Sequence, residues 1–91
     1  MIEINYSSQF KKDFKKVKTL PLAELKMIFD VISKLEVGSS LEEKYKDHKL
    51  SGNRVNFREC HIKPDLLLIY KRTANELLLA RLGSHSELFK S

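Results

Sequence analysis

Leu66 to Tyr70 (Leu-Leu-Leu-Ile-Tyr) is the longest unbroken apolar run in the chain, and turn signals bracket it: Lys63-Pro64-Asp65 before, Thr73-Ala74-Asn75 after. A short apolar run between two turns reads as a central strand, buried on both faces. Its neighbours fit that reading. Val55 to Ile62 alternates, with Val55, Phe57, Glu59 and His61 on one face and Asn56, Arg58, Cys60 and Ile62 on the other. Leu77 to Leu82 makes the last strand, with Leu77, Leu79 and Arg81 on one side. Three-residue connections make these strands antiparallel.

The cover for one sheet face comes from upstream. Ile2, Ile4 and Tyr6 alternate with Glu3 and Asn5 as a short strand, and Ser7 or Ser8 can cap a helix over residues 8–18 that carries Phe10, Phe14 and Val17 on one stripe. Leu20-Pro21 ends it, and Pro21 starts a second helix with Leu22, Leu25, Ile28, Phe29, Ile32 and Leu35 on its stripe, capped by Gly38. The expected fold is α+β: two N-terminal helices packed on one face of a small, mostly antiparallel four-stranded sheet. The order is β-α-α-β-β-β with a short C-terminal helical turn after Gly83, in one domain over residues 1–91. Residues 38–54 form a long polar connection that holds His48.

Composition narrows the function classes. At 42% hydrophobic and 32% charged residues, the chain has a globular make-up. No run approaches the length of a membrane span, and the first residues lack a basic head and an apolar stretch, which argues against export. Cys60 is the only cysteine, so no internal disulfide forms, in keeping with a cytoplasmic location. The net charge of +5 is concentrated in residues 46–91, which carry all four arginines and all three histidines. A basic half rich in arginine and histidine points to a polyanion, nucleic acid first.

The spacing of His48, His61 and His85 matches no local metal motif, so no metal or other cofactor is expected. Cys60 and His61 point to opposite strand faces and cannot act as a nucleophile pair. A metal-free acid–base site fits better: Glu59 and His61 share a strand face, Asp65 follows the turn, and Arg81 and His85 lie close together near the end. Cleaving RNA needs a base for the 2′-OH proton, an acid for the leaving 5′-oxygen and a cation for the phosphate. Plainer roles stand beside this one. A strand histidine can be structural, Asp65 ordinary turn chemistry, His48 a solvated loop residue and the helix lysines a solvated face. Glu59 facing apolar neighbours and Arg81 within a leucine-rich strand are harder to explain that way, since an unpaired buried charge is costly.

Four stretches in the same order carry a resemblance. They are Tyr45-Lys46-Asp47-His48-Lys49-Leu50-Ser51-Gly52, Phe57-Arg58-Glu59-Cys60-His61-Ile62-Lys63-Pro64-Asp65, Leu68-Ile69-Tyr70, and Arg81-Leu82-Gly83-Ser84-His85-Ser86-Glu87-Leu88-Phe89. Together they resemble the YafQ branch of the RelE toxin superfamily over essentially the whole chain. The resemblance implies a bacterial toxin of a type II toxin–antitoxin pair. Such a toxin enters the ribosomal A site, cuts mRNA by 2′-OH attack without a metal, is neutralised by a cognate antitoxin, and meets operator DNA only through the antitoxin complex. It further implies catalytic roles for His48, His61, Asp65, Arg81 and His85, with Glu59 added by the Phe-Arg-Glu-Cys-His variant. His85 would move a proton and Arg81 would hold phosphate charge, while Arg58, Lys63 and Phe89 would contact RNA. Leu66 stands where some family members have tryptophan. A non-catalytic toxin, like the relatives that bind gyrase, or a plain nucleic-acid-binding module on the same fold is the alternative; the histidine set argues against it.

Overall fold

The computed structural model describes residues 2–52 and 56–89. Its elements run β1 (Glu3–Tyr6), α1 (Ser8–Val17), α2 (Leu22–Glu36), a single 3-10 turn (Glu43–Tyr45), β2 (His48–Lys49), β3 (Arg58–Lys63), β4 (Leu66–Arg72), β5 (Glu76–Gly83) and α3 (His85–Leu88). They build one five-stranded sheet in the order β1-β5-β4-β3-β2, antiparallel except for the β1–β5 pair. The sheet therefore has one strand more than the four expected. The addition is β2, two residues of the polar connection that pair with β3 through His48↔Glu59 and Lys49↔Arg58. A two-residue strand has no periodicity to read. The expected start of the preceding strand, Val55, lies outside the described residues; β3 itself begins at Arg58.

The helices start and stop for local reasons. Ser7 caps α1 by accepting the Phe10 N–H at 2.9 Å. Pro21 is the N-cap of α2 rather than its first helical residue. Gly38, at φ +79°, closes α2 in a left-handed turn: its own N–H bonds the Leu35 carbonyl, and Ser39 N–H bonds that of Lys34. Arg72 reaches over from β4 and donates to the same Leu35 carbonyl at 2.8 Å, adding a second donor at the helix's C-terminal end.

The main core lies between the helix hairpin and one sheet face, where Phe10, Ile28, Val31 and Leu35 meet Cys60, Ile62, Leu68, Tyr70, Leu77, Leu79 and Leu82. On α2 the buried line is Ile28, Val31 and Leu35, while Leu22 (83% exposed) and Phe29 (51%) face outward, contrary to the stripe expected from sequence. Apolar residues occupy more than half of that helix's circumference. The docking angle, not the pattern, selects which of them the sheet covers, and Phe29 turns instead toward Phe14 of α1 (ring centroids 6.0 Å). The opposite sheet face carries a smaller cluster of Leu67, Ile69 and Leu88, flanked by Leu50, Phe57, Ala80 and Phe89.

One irregularity redirects a charged side chain. The β4–β5 register runs Leu68↔Leu82 and Ile69↔Arg81, then slips so that Tyr70 meets Leu79. Ala80 is the extra residue of a β-bulge. Strict alternation would place Arg81 with Leu77 and Leu79 on the helix side; the bulge moves it to the face of Ile69.

Candidate active site

The face away from the helix hairpin gathers ionisable groups in two adjacent rows. Register runs His48↔Glu59↔Ile69↔Arg81 across β2, β3, β4 and β5, and His61↔Leu67↔Gly83 in the next row. Paired residues in a sheet share a face, and strands lie about 4.8 Å apart, so Glu59 and Arg81 stand roughly 10 Å from each other across Ile69. Three bonded groups surround the Leu67–Ile69 patch.

The first group centres on Glu59, only 5% exposed. One carboxylate oxygen lies 3.3 Å from His48 Nε2 and 3.4 Å from His61 Nε2. The two imidazole rings are 6.3 Å apart, held over the same carboxylate. His48 Nδ1 lies 2.7 Å from the Lys46 carbonyl, so one ring nitrogen faces a backbone acceptor and the other the Glu59 carboxylate. Lys46 is in the left-handed region (φ 49°), which aims that carbonyl back at the ring.

The second group is built at the sheet end. Asp65, in the β3–β4 turn, accepts the backbone N–H of His85 at 3.1 Å, tying the start of α3 to the turn. Ser84 caps α3 and Glu87 reaches back to the Ser84 N–H at 2.9 Å, a reciprocal capping box. That bond to Ser84 holds the Glu87 carboxyl below the usual carboxylate range. The short helix presents the exposed His85 ring 5.0 Å from Phe89 and seats Leu88 on Leu67 and Ile69.

The third group is Arg81. Its Nε and Nη2 donate to Asp13 of α1 at 2.8 and 3.3 Å, and Asp13 accepts a third bond from the Leu82 N–H at 3.0 Å. The carboxylate raises the guanidinium above its already high ordinary value and fixes its plane. Sequence reading missed Asp13, although it shares the α1 stripe with Phe10, Phe14 and Val17, a telling place for a carboxylate.

Not every expected residue joins this face. Arg58 pairs with Tyr70, on the helix side, and donates to Asp47 at 3.2 Å; Tyr70 Oη donates to the same Asp47 oxygen at 2.6 Å. Lys63 is ion-paired with Glu24 of α2. Both cations, expected to contact RNA, are engaged with carboxylates of the fold on the other side of the sheet. Leu66 is part of the main core, so no stacking platform stands at that position. Cys60 is fully buried, and burial pushes its thiol up to about 12, which removes it from nucleophilic chemistry. Beside His61, a cleft of about 370 Å³ is edged by Lys44, Lys46 and Lys63 and lined by Met27 of α2 and by Ile62, towards the helix side of the sheet. Among the described residues, no set of three His, Cys, Asp or Glu side chains is arranged to hold a metal ion. No helix of the described residues is long and apolar enough to cross a membrane.

Known proteins share this architecture. Residues 2–90 match the protein-family model described as the bacterial toxin of type II toxin-antitoxin system, YafQ. The mRNA interferase toxin YafQ of Escherichia coli K12 is 35% identical over 89 residues, covering 96% of this chain and 95% of the relative. A metal-bound toxin from Helicobacter pylori is 46% identical with a TM-score of 0.85, covering 98% of this chain and 100% of that one. A chain of the E. coli DinJ–YafQ complex is 34% identical with a TM-score of 0.79, covering 98% and 99%.

Proposed function

Because the chain belongs to the YafQ family of bacterial type II toxin–antitoxin toxins, we propose that it is an mRNA interferase, an endoribonuclease that cuts messenger RNA in the ribosomal A site. The observation that carries this reading is the row His48–Glu59–Ile69–Arg81. Two imidazoles share one buried carboxylate, and Arg81, its guanidinium fixed by Asp13, stands two strands away in the same row. A phosphodiester lying over Leu67 and Ile69 meets cationic and proton-transferring groups on three sides.

The chemistry is attack of a ribose 2′-oxygen on the adjacent phosphorus. The 2′-OH proton passes to a base, the P–O5′ bond breaks as the P–O2′ bond forms, and the 5′-oxygen takes a proton from an acid. The products are a 2′,3′-cyclic phosphate and a 5′-OH. Arg81 holds the charge that develops on the phosphoryl oxygens, and His85 is the principal proton-transfer group. Glu59 orients His48 and His61 toward the same centre, and Asp65 fixes the backbone of His85. Phe89 stacks on a base, an interaction worth about 1–3 kcal/mol. These side chains supply base, acid and cation, so the reaction needs no metal. A cognate antitoxin neutralises the toxin, as the DinJ–YafQ complex of the E. coli relative supports; operator DNA is met only through that complex.

Expression in bacteria followed by mapping of transcript ends tests the reading. Growth arrest with in-frame cuts is expected, relieved by co-expressing the neighbouring small open reading frame. His85→Ala and Arg81→Ala should each slow cutting by about 10²–10⁴-fold. A chelator selective for transition metals should leave the wild-type rate unchanged. Full toxicity in His85→Ala would overturn the nuclease reading in favour of a non-catalytic toxin.

A further inference from the structure

Beyond Arg81 the same sheet face opens into a cleft of about 440 Å³, within the size range of small-molecule sites, which the groups named above leave unused. Ile69 and Ala80 line it from the central strands, Phe57 from the residue before β3, and Ser7 and Gln9 from the start of α1, with Arg81 beside them. The Ser7 hydroxyl is already committed, accepting the Phe10 N–H and donating to the Ala80 carbonyl at 2.6 Å. Gln9 differs. Its exposed carboxamide, with donor and acceptor side by side, makes no hydrogen bond among the described residues. No other aromatic ring of the described residues stacks on Phe57, although Phe57 packs at the edge of the Leu67–Ile69 cluster.

Position adds to this chemistry. Phe57 precedes Glu59 by two residues on the same strand face, about 7 Å along the chain. The cleft thus flanks the Glu59–Arg81 row on the side away from His61 and His85, one nucleotide's reach from a phosphate held there. An apolar floor, a free aromatic face and one amide able to give and take hydrogen bonds are what an unstacked base requires.

We propose that this cleft is a nucleobase subsite, in which Phe57 stacks on the base beside the scissile phosphate and the Gln9 carboxamide reads its edge. The inference rests on the RNA-cutting reading and deepens it, because it makes Gln9 the residue that sets base preference next to the cut.

Transcript-end mapping in cells expressing wild type, Gln9→Ala, Gln9→Glu, Phe57→Ala and Phe57→Tyr tests it, with thermal melting of each purified protein. Gln9→Ala should flatten the base preference at one position beside the cut. Gln9→Glu, which exchanges the amide donor for an acceptor, should shift that preference to a different base. Phe57→Ala should lower cutting about tenfold or more, and Phe57→Tyr should restore it by returning the ring. Unchanged cut-site profiles in both Gln9 variants overturn the inference while the nuclease reading stands; so does a wild type with no base preference beside the cut. Weakened binding of the antitoxin in the Gln9 variants with the profile intact also overturns it, making the cleft a protein contact. A wild type that cuts no RNA overturns the nuclease reading itself and the subsite with it.

Discussion

Glu59 is the most expensive residue in the site. A carboxylate at 5% exposure gives up most of its hydration, and its compensation comes from two imidazoles rather than from a permanent cation. Glu59→Gln keeps the shape and removes the charge. It is expected to slow RNA cutting at least tenfold by loosening His48 and His61, roughly the low end for positioned proton-transfer groups, while melting no lower than wild type. Parallel cleavage and thermal-denaturation measurements check both halves. Asp13 presents the opposite balance. Asp13→Asn removes the anion from Arg81 and weakens the bond to the buried Leu82 N–H, so unfolding free energy should fall by about 3 kcal/mol, read from urea denaturation. Arg81 would then lose its fixed plane, and cutting should fall as well.

Elements position these residues through their ends and irregularities. β1 pairs with β5 only as far as Leu79, and α1 completes that exposed edge with side chains: Ser7 takes up the Ala80 carbonyl and Asp13 the Leu82 N–H. The bulge that aims Arg81 is thus stabilised by the helix that begins beside it. Just beyond β5, α3 has only four residues, too few to persist without its cap. Ser84→Ala removes about 1 kcal/mol of capping from a helix that contributes little to global stability. Cutting should drop about fivefold, with the melting temperature nearly unchanged. The Glu87 half of the cap has a pH sign. Its carboxyl is held below the ordinary range, so its contribution is complete above the unfolded value and is lost as pH falls through the depressed one. Protection of the Glu87 and Leu88 amides, measured relative to their intrinsic exchange at each pH, should therefore fall on acidification before that of the sheet.

For the molecule as a whole, the main core contains two groups that resist ionisation. Burial pushes the Cys60 thiol up to about 12, and burial together with the bond to Asp47 raises the Tyr70 phenol above its ordinary value. The unfolded chain releases both protons at lower pH than the folded one. The folded state then binds more protons, and stability must fall as pH rises from about 9 upward. Urea midpoints should be lower at pH 10.5 than at pH 8, and Cys60→Ala should reduce the difference. A thiol reagent at pH 8 should label Cys60 only after unfolding, since the side chain is fully buried.

The sequence by itself determined both helices, the central strand, the antiparallel connections and the division of β3 into a Cys60–Ile62 face and a Glu59–His61 face. Each of these follows from patterns a few residues long: a period of 3.6 or 2, a capping serine, a proline, a glycine free to take positive φ. The histidines, Glu59 and Arg81 were legible as residues suited to phosphate chemistry. Only the tertiary structure decided what they touch. Sharing of the Glu59 carboxylate needs β2 laid against β3; Arg81 reaches the site face only because a bulge breaks alternation; Arg58 and Lys63 meet Asp47 and Glu24 on the other side. Those outcomes depend on which distant chain segment arrives beside a given side chain, and a charge takes its role from its partners, which local periodicity does not encode.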